Sequence, residues 1–162
     1  MANQLHKYGL KVTGYKFLCG EAAIAGLKIN SRRRYIPGVP VAFDVYTNQG
    51  TLHVELDGGF EFDGRSGPWI IDWYAPNLGT MAERICWLAH DANAYGQDLN
   101  FNDTNLLLYA MLRDLARYND TKATVIRTAV SLSKGWYGTP KKNDWCYKNI
   151  NKVSTMWVPA KV

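Results

Sequence analysis

The chain has 162 residues, 47% of them hydrophobic and 20% charged, which excludes a disordered polymer and makes one domain with an ordinary core the expectation. Its cysteines, Cys19, Cys86 and Cys146, lie far apart with no C-x-x-C pair, which argues against a zinc knuckle and a dense disulfide framework and makes a reducing compartment the simplest setting. Net charge is +5, no apolar stretch approaches the roughly 20 residues of a membrane span, and the opening "MANQLHKYGLKV" lacks the apolar run of a signal peptide.

The first 38 residues show no clear period, and "GEAAIAGLKI" reads as a short helix or a strand edge. The triplet Arg32, Arg33 and Arg34 lacks interleaved aromatics, so a surface loop is expected rather than a nucleic-acid patch. In "VPVAFDV", Val39, Val41, Phe43 and Val45 alternate with other residues, the period of a half-buried strand. "TNQG" follows as a turn, and "TLHVEL" puts Leu52, Val54 and Leu56 on one face. "DGG" is a second turn that leads to "FEF", so a small antiparallel sheet is expected over residues 39–62. His53 falls on the polar face of its strand and is expected to face solvent, and His6 lies in the terminal segment.

Residues 63–79, "DGRSGPWIIDWYAPNLG", carry Gly and Pro punctuation and are expected to be irregular. Gly64 and Gly67 free the backbone to present its oxygens, and Asp63 adds a carboxylate, a composition suited to a hard cation such as Ca²⁺. Ser66 lacks the G-x-S-x-G spacing of a nucleophile and reads as a turn residue. Trp69 and Trp73, with Ile70, Ile71 and Tyr74, form either an exposed lip for lipid or sugar or a plug packed over the helices, and burial is the favoured reading.

Thr80 with Glu83 three positions on is a capping-box spacing. A helix is expected from there, with Met81, Ile85, Leu88, Ala92 and Tyr95 as its apolar stripe and Gly96 as its stop. A second helix is expected over residues 102–118, with Leu107, Ala110, Met111 and Leu115 inward, and a third from about Asp120. Short links make neighbouring helices antiparallel. The expected fold is therefore α+β: a small antiparallel sheet in the N-terminal half, packed with a three-helix C-terminal half, in one domain over residues 1–162. From Thr121 onward eight Lys or Arg face only Asp144. Residues 139–162 are expected to be a basic tail that wraps the surface, a solvated face rather than an anion site.

His90 and Asp91 carry the candidate chemistry. Adjacent helical residues point about 100° apart, so one side chain can serve a substrate while the other holds a cation. Asp91 and Tyr95 are four apart and share a face. Asp103 opens the next helix, where an antiparallel hairpin can bring its carboxylate to His90. A carboxylate on one imidazole nitrogen fixes the tautomer and leaves the other nitrogen as a base. Asp98 competes for that role.

Taken together, "LDGGFEFDGRSGPW", "AHDANAY", "NDTNLLLYAML" and "AVSLSKGW" resemble a bacterial and phage family, domain of unknown function 1353, over residues 39–138. The resemblance sets Asp63 and Ser66 at the family's Asp and Ser. Tyr95 comes five residues after His90, where the family usually has four. The His-Asp helix is also locally similar to that of secreted phospholipase A2, which implies His90 as the base, Asp91 as a Ca²⁺ ligand and Asp103 as the residue that orients His90. Two functions stay open. One is a phage-encoded hydrolase-like domain, its catalytic pair His90 and Asp103 assisted by a metal at Asp91 and Asp63, acting on a lipid, ester or cell-wall substrate. The other is a non-enzymatic virion or host-interaction protein in which the same residues form a structural network. The expected setting is host cytoplasm or virion, and nucleic-acid binding ranks below both readings.

Overall fold

A computed structural model describes residues 3–27, 37–61, 79–132 and 149–161. Its elements are β1 (Val12–Cys19), α1 (Glu21–Ala25), β2 (Val41–Thr47), β3 (Gly50–Leu56), α2 (Met81–Gly96), α3 (Phe101–Asp114), α4 (Asp120–Ser131) and β4 (Val153–Pro159). The architecture is α+β: one antiparallel sheet in the order β1-β2-β3-β4, with α2 and α3 packed against it and α4 packed on α3.

The central hairpin follows from its alternation. Val41, Phe43 and Val45 on β2, and Leu52, Val54 and Leu56 on β3, are all buried. Phe43 pairs with Val54 and Val45 with Leu52, so one side of the sheet is apolar. Each such fully buried side chain stabilises the fold by roughly 1.5–3 kcal/mol. Asn48 and Gln49 make the turn, and the Thr47 hydroxyl donates to the Gly50 carbonyl at 2.8 Å.

Several boundaries differ from the sequence reading. Val39 lies outside β2 and is exposed. Phe60 and Glu61 are buried, but they belong to no strand, because β3 ends at Leu56 and Asp57–Gly59 turn the chain. "EAAIA" resolves as the helix α1. Gly20 before it is needed twice over: its φ is 83°, and a Cβ there would lie 2.7 Å from the Pro40 carbonyl oxygen.

The C-terminal segment gives the largest correction. Instead of wrapping the surface, Val153–Pro159 forms β4 along β3, with Leu52 opposite Trp157 and Val54 opposite Thr155. Trp157 is buried against the helices. Its backbone N–H donates to the Asp98 carboxylate, which covers a donor on the outer edge of the sheet. At the opposite edge the Val12 N–H donates to Asp114 Oδ2 at 2.8 Å.

The α2 capping box forms as its spacing predicts: the Glu83 N–H donates to Thr80 Oγ1 at 3.3 Å and the Thr80 N–H to Glu83 Oε1 at 3.1 Å. The helix ends at Gly96 as expected, but the left-handed residue that follows it is Gln97, φ 53°, rather than the glycine. Gly96 serves a different need, since a Cβ there would collide with the Thr155 side chain of β4. Asn100 and Asn119 cap α3 and α4, accepting from the N–H groups of Asp103 and Lys122 at 2.8 Å each. The second helix ends at Asp114, four residues short of the expected Tyr118. Among the described residues no helix is long and apolar enough to cross a membrane.

Candidate functional site

Most surface helices bury one stripe. Residues 85–93 of α2 are instead buried at every position, which includes the polar side chains of His90, Asp91 and Asn93. The sheet, α3 and the capping box hold this segment in the interior.

His90 is 4% exposed. Its Nε2 lies 2.9 Å from Asn105 Oδ1 on α3, and its Nδ1 lies 3.7 Å from Asp91 Oδ1. Burial pushes its pKa down to about 4, and the hydrogen bond to Asn105 offsets only part of that, so the ring is neutral at pH 7. Asn105 Nδ2 donates in turn to Ser131 Oγ on α4 at 3.3 Å, and the Ser131 hydroxyl donates to the Arg127 carbonyl at 2.8 Å. A chain of hydrogen bonds thus runs from α2 through α3 to α4.

Asp103 is not the residue that orients His90. It is 1% exposed, and its Oδ2 accepts from the Gln4 N–H at 2.5 Å, with the Leu5 N–H as a further donor. Burial raises its pKa, against the pull of those two amides and of His6. The physical reason is angular: Asp103 and Asn105 sit about 200° apart on α3, so only one of them can face α2. Asp98 does not hold His90 either, since its carboxylate serves the Trp157 amide. Tyr95 is half-buried and packs edge-on against Phe60, ring centroids 5.8 Å apart. Asp63, Ser66, Trp69 and Trp73 lie outside the described residues.

His53 stands on the outer face of the sheet, as its strand position predicts, but not simply in solvent. Its Nδ1 lies 2.6 Å from Asp44 Oδ1 and its Nε2 3.0 Å from Glu55 Oε1. The hydrogen bonds to Glu55 and Asp44 raise its pKa. The two carboxylates sit on different ring nitrogens. Among the described residues no group of three or more His, Cys, Asp or Glu side chains could hold a metal ion.

Sequence reasoning missed Asn105, Ser131 and Asn93. A signal for Asn105 was present: it shares a helical face with Leu108 and Leu112, a polar residue in an apolar stripe. Asn93 is 1% exposed, and neither of its amide atoms has a hydrogen-bond partner among the described residues. Comparisons of the chain with family models, with curated proteins and with solved structures find no match.

Proposed function

We propose that this chain is a phage-encoded, hydrolase-like domain in which His90 is the general base. One observation carries the reading: Asn105 engages Nε2 of a neutral, interior imidazole, which leaves Nδ1, on the Asp91 side, as the basic atom. Nδ1 would take a proton from a water molecule as that water attacks an ester, phosphoester or amide centre, and would return it to the leaving group. The ordered motifs that resemble domain of unknown function 1353 support the phage origin, and a lipid, ester or cell-wall substrate is the proposed class. The described residues alone do not make up a Ca²⁺ cage, which takes 6–8 oxygens. A calcium-assisted form of the reading needs Asp63 to join Asp91. A melting temperature raised by millimolar Ca²⁺ supports that form, and an unchanged one removes it.

The test is turnover of ester, phospholipid and peptidoglycan panels by the parent chain and by His90→Asn. A loss of about 10²–10⁴-fold is expected for removal of a general base. A folded parent inactive on every panel overturns the reading.

The burial of His90, Asp91 and Asp103 favours a second reading. In it the same residues form a structural polar network inside a non-enzymatic virion or host-interaction protein. Asp91→Asn separates the two. A folded but silent variant favours chemistry, whereas an unfolded variant, with the chain found in purified virions or bound to a host protein, favours structure.

A further inference from the structure

We infer that Asn105, locked by Ser131, is a positioning residue that fixes His90 in the tautomer with its proton on Nε2. The geometry is directional. The Ser131 hydroxyl has one proton and gives it to the Arg127 carbonyl at 2.8 Å. Ser131 Oγ is therefore an acceptor toward Asn105, so the amide nitrogen of Asn105 faces Ser131 at 3.3 Å. The amide oxygen is then the atom turned to His90 Nε2, at 2.9 Å, and an oxygen without a proton requires a donor there. The proton sits on Nε2, and Nδ1 carries the lone pair.

The relay works against a competing pull. Asp91 Oδ1 lies 3.7 Å from Nδ1, and a carboxylate there favours the opposite tautomer, Nδ1–H. Asn105 is 2% exposed, so in the Nδ1–H tautomer the lone pair of Nε2 would face the amide oxygen, acceptor against acceptor, with little access to water. Ser131 is exposed at the end of α4. The relay therefore joins an interior base to a hydroxyl at the surface. Its use in turnover rests on the hydrolase reading above, but the tautomer itself does not.

The experiment is ¹⁵N NMR of the histidine rings in the intact chain, which has only His6, His53 and His90 to distinguish. His90→Asn assigns the His90 signals. The parent is expected to show Nε2–H at His90, and Asn105→Asp, which keeps an acceptor, is expected to retain it. Asn105→Leu is expected to move the proton to Nδ1. Ser131→Ala, at an exposed site that folding tolerates, is expected to release the amide and give a mixture of tautomers. A parent with Nδ1–H overturns the inference, and so does a Ser131→Ala protein with the parent's pattern. Activity then separates the two proposals. If the tautomer behaves as described and the parent turns nothing over, the relay stands and the hydrolase reading falls. If the parent is active and Asn105→Leu keeps its full kcat, the positioning role falls. In the Ser-His-Asp template the wrong tautomer costs about 10⁴-fold in kcat, so a loss of at least tenfold, with KM little changed, is the expected result.

Discussion

Two histidines in this chain titrate in opposite directions. His90 has a native pKa pushed down to about 4, so the unfolded state binds a proton that the native state refuses. Its contribution is complete above the unfolded value of about 6.5 and is lost as pH falls through that value toward about 4, by up to roughly 3 kcal/mol. His53 has a raised native pKa, so its contribution is present below about 6.5 and is lost as pH rises through the native value. Urea unfolding at pH 7.5 and pH 4.5 checks both signs. His90→Asn should lose less stability on acidification than the parent, and His53→Gln should gain less from it. Both residues could be singled out from the sequence, but their surroundings could not. His53 meets Asp44 through strand pairing and Glu55 through a two-residue step, whereas the neighbour of His90 depends on how α3 is rotated.

At the scale of elements, α2 was the most legible because its signals are local. Thr80 and Glu83 mark its start, and Ile85, Leu88 and Ala92 mark one buried stripe. Gly96 was legible as a glycine but not in its purpose, because the residue that requires it, Thr155, is far away in sequence. Intrinsic propensity favours Gly96→Ala by up to about 1 kcal/mol in a helix. The collision with Thr155 reverses that sign, and a net loss of about 1–3 kcal/mol is expected in chemical denaturation. Recovery of most of the loss in Gly96→Ala with Thr155→Gly would confirm the contact as the cause. β1 and β4 escaped the reading for a related reason. Val153, Thr155 and Trp157 do alternate with Ser154, Met156 and Val158, but three of these six residues are polar or exposed apolar on the outer side. An edge strand buries too little to announce itself without its partner.

Across the whole molecule, a few carboxylates tie distant segments to the helices. Asp103 receives the amides of Gln4 and Leu5, Asp114 that of Val12, and Asp98 that of Trp157. Each is a charged acceptor for backbone groups that would otherwise be partly desolvated. Asp103→Ala should cost about 1–3 kcal/mol, the penalty for orphaned donors in the interior. Hydrogen exchange should show the loss as faster exchange at Gln4 and Leu5, with the α2 amides little changed. The class of fold, the hairpin and the three helices followed from periodicity. The clamps did not, because a carboxylate that holds a strand reads in sequence like any other surface acid.

The pairing of β3 with β4 has a consequence for how the chain is made. Leu56 and Val153 are neighbours in the sheet, yet almost a hundred residues separate them. At about 5–20 residues per second, the ribosome leaves the far edge of β3 uncovered for about 5–20 s after that strand emerges. Leu52, Val54 and Leu56 line that strand, and the acceptor at Asp98 waits for the same missing partner. Nascent chains crowded on one message are therefore most prone to pair with one another in this interval, and a holdase that shields β3 should raise the yield of folded protein more than one acting after release.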